Sequence, residues 1–260
     1  MFRYFLPGLV LALSVTSVSA ATIEVAVQDF QASGVLAYTF LGSEVESGTS
    51  GLFRLGTQNP VGALASVLTN PEFGFCIELT QNFSGIFSTY NVGDLTTAND
   101  PVIPAIGAVT VAKANLVRQL WSLFYDPTWE SAGPYSDLQI AACIAFSGTL
   151  YEILSDFDGV SLSSLDISSG NFTIEGAGFL TPGDIAFINF NVPAIAQIYI
   201  ANLSLSYDGP LANLVALTSP TQQDYIVQVI PEASSMVLAG MGLLTLVAGG
   251  YRTRRRSIEG

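Results

Sequence analysis

From Ala233 to Tyr251 the chain runs nineteen residues without a charge and then meets Arg252, Arg254, Arg255 and Arg256. A helix rising about 1.5 Å per residue just covers a hydrocarbon core of about 30 Å over that length, so the sequence predicts one transmembrane helix at 233–251. Basic flanks resist translocation, which assigns the arginines to the cytoplasmic side and everything before the span to the far side of the membrane. The other end agrees with export. Arg3 supplies a positive charge, Phe5 to Val15 an apolar core and Val18-Ser19-Ala20 a small-residue cleavage site, so residues 1–20 read as a signal peptide, with cleavage after Ala21 also allowed. About 210 residues lie between these ends, enough for one or two compact units with their own core.

That region is acidic. Arg54, Lys113 and Arg118 are its basic residues between positions 21 and 230, against nineteen Asp and Glu, a formal charge of 3 − 19 = −16. A phosphate binder needs the opposite sign, so nucleic acid is not an expected partner. Histidine is absent from the chain, which excludes Ser-His-Asp and Cys-His catalysis within it, and two cysteines do not make a structural zinc site. No Gly-x-x-x-x-Gly-Lys loop supports a nucleotide, and no Asp-x-Asp-x-Asp-Gly loop supports tight calcium binding; Asp156-Phe157-Asp158-Gly159 is the nearest approach. No metal or cofactor is expected.

Along the chain, β-branched and aromatic clusters predict two strands within 22–41, a loop from Gly42 to Gly51, a strand at 73–79 and more strand character at 82–92. In the third of these, Phe75, Ile77 and Leu79 fall on one face, Cys76 and Glu78 on the other. The period then changes. Leu116, Leu120, Leu123 and Phe124 predict a helix near 111–125 that Asp126-Pro127 ends, and Leu138 to Ile153 predict a second near 137–155 capped by Ser136 or Asp137. Strands return at 171–175 and 185–191, with turns at Gly176 to Gly178 and at 181–184, and again at 214–217 and 225–229. Residues 193–206 fit a helix or a strand. The expected class is α+β, mainly β: a sandwich or barrel with a helical hairpin inserted, spanning 21–228, followed by a tail at 229–260.

The tail has a specific form. Val229-Ile230-Pro231-Glu232-Ala233, then the apolar span, then the arginine cluster, resembles the PEP-CTERM sorting signal of Gram-negative bacteria, a tag read by the membrane enzyme exosortase. The family's Pro-Glu-Pro reads Pro231-Glu232-Ala233 here. The resemblance makes Val229, Pro231 and Glu232 the sorting motif and Arg252, Arg254, Arg255 and Arg256 the basic anchor. It implies transient anchoring in the inner membrane, processing by exosortase, and delivery to the cell surface or matrix in association with exopolysaccharide or biofilm. A plain single-pass anchor is the alternative.

A second resemblance concerns the exported part. Phe75-Cys76-Ile77-Glu78, Ala145-Phe146-Ser147-Gly148-Thr149-Leu150-Tyr151-Glu152-Ile153, and Asn213 to Tyr225 are similar to segments of exported thioester-type domains, whose strand cysteine bonds a helix glutamine to capture surface nucleophiles. At the glutamine position stands Ser147, which has no amide carbonyl for Cys76 to attack, so the resemblance implies a degenerate site at Cys76 and Ser147. It also implies that Cys76 faces the helix at Ser147. Cys143, four residues earlier on the same face, then becomes a partner in an oxidising compartment, and a Cys76–Cys143 disulfide is expected, with two buried free thiols as the alternative.

The remaining candidates read as ordinary structure. Glu78, Glu152 and Asp156 could serve as paired carboxylates, and Trp121, Tyr125, Trp129, Tyr135 and Tyr151 could stack on a sugar, but aromatics on helix faces are usually core. The leading expectation is a non-enzymatic exported surface or matrix protein; the alternative is a covalent thioester adhesin using Cys76.

Overall fold

The computed structural model describes residues 20–43, 46–79, 81–98, 108–181, 184–186 and 191–229. Among the described residues, eight antiparallel strands and three α-helices form a mixed α+β body that is mainly β. The strands are β1 (Ala21–Phe40), β2 (Glu46–Val61), β3 (Glu72–Cys76), β4 (Ser88–Asp94), β5 (Phe172–Thr181), β6 (Asp184–Ala186), β7 (Leu214–Thr218) and β8 (Tyr225–Gln228). The helices are α1 (Val111–Phe124), α2 (Asp137–Asp156) and α3 (Val192–Ala201).

β1 sets the architecture. The two strands expected within 22–41 are one strand of twenty residues, paired to β2 along most of its length. Its other edge is divided: residues 21–25 pair with β4, and residues 35–40 pair with β5. Register shifts between Val27 and Asp29 and between Gln31 and Gly34, with Ala32 at φ 42°, mark where it bends, as an extra residue in one strand of a pair does. The pairings then run β1–β2–β3–β8–β7–β4 and back to β1, a near-ring with β5 and β6 extending from the far half of β1.

The expected loop at 42–51 is wrong over its second half, where β2 starts at Glu46. Its polar residues, Ser47 to Ser50, gave no hydrophobic alternation, yet pairing with β1 makes them a strand. The strand at 73–79 stops at Cys76, β4 begins only at Ser88, and Gly176 to Gly178 lie inside β5. The ambiguous stretch resolves into α3, opened by Pro193 in its first turn, and Leu203–Tyr207 is not a strand.

Both expected helices form. Thr110 caps α1 through Lys113 N, and Ser136 with Gln139 makes a reciprocal capping box at α2. They do not form a simple hairpin apart from the rest: α2 packs on α1, α3, β1, β2 and β5 together. Among the described residues α2 is the one helix long and apolar enough to cross a membrane, but most of it is buried inside the protein. Gly148 lets it dock closely, since a Cβ there would lie 2.6 Å from Ile174 Cδ1. Residues 1–19 of the expected signal peptide at 1–20 and, in the tail, Pro231, Glu232, the expected span at 233–251 and Arg252, Arg254, Arg255 and Arg256 lie outside the described residues.

Candidate functional site

β3 carries the residues to which the motifs point, and its alternation splits them. Phe75 lies opposite Ile226 and packs on the helix side, with ring centroids 4.7 Å from Phe146, 5.5 Å from Trp121 and 6.3 Å from Trp129. Trp121 Nε1 donates to Gln228 Oε1 at 2.8 Å and ties α1 to β8. Trp121 and Trp129 are therefore core, as the ordinary reading has it, rather than a sugar-stacking surface.

Cys76 points the other way. It lies opposite Tyr225, whose ring meets Phe53 of β2 at 5.5 Å and Tyr90 of β4 at 6.0 Å, so residues from four strands converge inside the ring. The Cys76 thiol donates to the Glu78 carbonyl at 2.8 Å, and the Tyr151 phenol reaches in beside it from α2. Burial pushes the Cys76 thiol up to about 12, so it is protonated and a poor nucleophile at neutral pH. From α2 it is Tyr151, one turn beyond the buried Ser147, that neighbours the strand cysteine on this side.

Cys76 and Cys143 are both buried free thiols, which corrects the expected disulfide. The reason lies in what surrounds each. Cys143 is held against the Leu52 backbone, with Tyr125, Tyr135 and Tyr199 as electrostatic neighbours. Cys76 has a separate set, Tyr38, Tyr90, Tyr151 and Tyr225. Gln139, the other helix glutamine, is not a substitute for an amide at position 147. Its Oε1 accepts from Ser136 N at 2.9 Å, and its Nε2 donates to Thr128 Oγ1 at 3.2 Å.

The candidate carboxylates are likewise engaged. Asp156 accepts from Asn171 N and Phe172 N and pins the start of β5, while Asp158 accepts from Val160 N and Ser161 N in a turn. Glu152 accepts from Asp166 N at 2.7 Å, and burial followed by the Asp156 charge raises its carboxyl to about 8. Glu78 sits instead beside Cys76 and Tyr90, so the three acids do not form one pair. No group of three potential metal ligands occurs among the described residues.

Sequence reasoning missed the feature next to Cys76. A cavity of about 200 Å³ opens at the mouth of the ring, and Tyr151 lies in its wall together with Ser50, Gln81 and Gln223. Ser50 lay in the stretch read as loop, Gln81 lies outside any motif, and Gln223 falls within the Asn213 to Tyr225 segment without a role assigned to it, so no local pattern marked the cavity. Compared with known proteins, the chain matches no family model, no curated protein and no solved structure.

Proposed function

We propose that this is a non-enzymatic exported protein of the bacterial cell envelope, released by exosortase through its C-terminal tail and delivered to the surface or to an exopolysaccharide matrix. The observation that carries this reading is where the fold stops and starts. β1 begins at Ala21, directly after the signal-peptide site, and β8 ends at Gln228 with Val229 N bonded to Asn213 O, two residues before Pro231. Processing at either end would then spare every described strand. β1 and β8 are both paired on two edges, so cuts within them would open the ring, whereas cuts outside them leave these pairings intact.

The body is a degenerate thioester-type domain in this reading. Its site has a serine where the bond needs glutamine, and its cysteine is protonated and buried, so the covalent alternative has no observation in its favour. Expression with and without exosortase tests the sorting: a shorter product only with the enzyme is expected, and an unchanged mass in both strains leaves a plain anchor. A chain lacking residues 231–260 should accumulate as a soluble periplasmic species. If it still reached the surface, the tail would not be the signal.

A further inference from the structure

The antiparallel pairings bring the ends of six strands to one rim of the ring. β2, β4 and β8 finish there, and β1, β3 and β7 begin there. The tail leaves from this rim, because β8 ends at Gln228 and Val229 N is still bonded to Asn213 O. Ile230, Pro231 and Glu232 are all that separate Val229 from the uncharged run at 233–251. Four residue steps reach at most about 14 Å when fully extended, and the headgroup layer on each side of a bilayer takes up about 5–8 Å. With 233–251 across a membrane, the rim at Val229 is therefore held within about 9 Å of the headgroups.

The connection from β2 to β3 lies on the same rim and extends past the start of β3. β2 runs on from Leu55, its last partner on β3, to Val61, and Gly62 at φ +87° then turns the chain across Ala21 into a short 3-10 turn at Ala65–Val67. The polar groups of the connection hold its own shape. Ser66 N and Oγ bond the Gly62 carbonyl, Thr69 N donates to Glu72 Oε2 at 2.9 Å, and Thr57 Oγ1 donates to the Thr69 carbonyl at 2.7 Å. What is left facing outward is apolar: Val61, Leu64 and Val67 are 51%, 37% and 42% exposed. From Asn59 to Pro71 the sequence has no charged residue, in a body whose formal charge is −16 between positions 21 and 230.

Large apolar side chains gathered on one exposed connection, with the polar groups turned to its own support, mark a contact surface. A bilayer interface accepts such side chains and asks for no counter-charge. Ile86 and Phe87 are also exposed, but they lie at the opposite rim, in the segment that joins the end of β3 to the start of β4. The seven residues of β4 alone put about 20 Å of strand between the two rims. The reach of the tail selects the rim of Val61. We infer that Val61, Leu64 and Val67 form a lipid-contacting surface, which lies in the headgroup layer beside the span while the tail still anchors the protein and sets how the rim stands on the membrane. This rests on the reading of 233–251 as a transmembrane span.

The test uses the full chain from cells lacking exosortase, reconstituted in phosphatidylcholine vesicles that carry a nitroxide either on the lipid headgroup or in the acyl chain. A thiol-reactive fluorophore is placed singly at Leu64→Cys, at Ile86→Cys and, within the span, at Leu244→Cys. The unsubstituted chain is the control for labelling, since Cys76 and Cys143 are buried. The label at 244 should be quenched by the acyl-chain nitroxide, the label at 64 by the headgroup nitroxide, and the label at 86 by neither. Val61→Asp together with Val67→Asp should abolish the quenching at 64 and leave that at 244 in place. A label at 244 that escapes quenching overturns the span reading, and this inference with it. With 244 quenched, a label at 64 no more quenched than the one at 86, or equally quenched after the double substitution, overturns the inference alone. Self-quenching at 64 that unlabelled protein relieves would put a second copy of the chain on this surface, and overturns it as well.

Discussion

Phe75 and Cys76 are adjacent in β3 and face surroundings built on different terms. On the helix side, Phe75 is enclosed by Trp121, Trp129 and Phe146 at ring distances between 4.7 and 6.3 Å. Apolar area removed from water is the stabilising term there. On the ring side, Cys76 sits among tyrosines, one of which, Tyr151, also lines a cavity, and the Ser50, Gln81 and Gln223 side chains nearby each bury an oxygen without a partner. The helix side is packed by tryptophan and phenylalanine rings, whereas the ring side mixes ring packing with hydroxyl and thiol groups that need partners.

The comparison breaks first at Phe75. Phe75→Ala should lower stability by about 3–5 kcal/mol, the usual loss for a buried phenylalanine in a close-packed cluster. Both tryptophans of the chain stand in this cluster, so urea unfolding followed by intrinsic fluorescence reads it directly. Tyr151→Phe on the ring side removes only the phenol hydroxyl that meets Cys76, and should cost about 1 kcal/mol. Equal losses in the two variants would remove the distinction between the sides.

Glu152 gives a second measure, at the far end of α2. Its folded pKa of about 8 lies above the ordinary carboxylate value, so the folded state holds a proton that the unfolded chain releases. The stability it lends is complete below the unfolded value of 4.5, and is lost as pH rises through about 8. Each pH unit in that window is worth up to about 1.4 kcal/mol, so the unfolding midpoint should fall between pH 5 and pH 8 by a few kcal/mol in all. Glu152→Gln keeps an acceptor for Asp166 N and should flatten the slope. A slope of the same size in the variant would mean that another group carries it.

Much of this was legible in the sequence, for particular reasons. α1 and α2 announced themselves through helical spacing, Ser136 as a cap of the second and the Asp126-Pro127 stop of the first, all of which are local, whereas the Thr110 cap of α1 went unread. β3, β5, β7 and β8 were marked by β-branched and aromatic runs. β2 was not, because Ser47 to Ser50 become a strand only through pairing with a distant stretch, β1. The same blindness hid the cavity, since Ser50, Gln81 and Gln223 converge through the ring and not through spacing. Cys76 and Ser147 were placed on the right elements by motif, but which side chain on α2 meets the thiol depended on side-chain direction at Tyr151, which a motif does not encode.

Ser50 offers a smaller effect of opposite sign. The residue is 3% exposed and its hydroxyl is buried and unpaired, so replacing it by alanine removes a buried donor with nothing to donate to. Ser50→Ala should leave the protein as stable as before or more stable by up to about 1 kcal/mol. Chemical denaturation of the two proteins measures it. A loss of more than about 1 kcal/mol would show that the hydroxyl serves the fold, and would place Ser50 with Phe75 on the stabilising side of the comparison.

The smallest expected effect is none at all, and it tests whether the two sides of β3 are separate. Cys76 belongs to the ring interior with Tyr38, Tyr90, Tyr151 and Tyr225, whereas Cys143 belongs with Tyr125, Tyr135, Tyr199 and the Leu52 backbone. A bond between them would have to draw each sulfur out of its own set. Burial raises both thiols, which keeps them protonated and slow to enter thiol–disulfide exchange even in an oxidising compartment. The exported protein, isolated without reductant, should therefore carry two free thiols that a maleimide reaches only after unfolding. Its urea midpoint should not move when dithiothreitol is added. A 67-residue disulfide loop would be worth about 2–4 kcal/mol, so a drop of that size on reduction, with two hydrogens gained in mass, would join the two sides and restore the pairing expected from the cysteines alone.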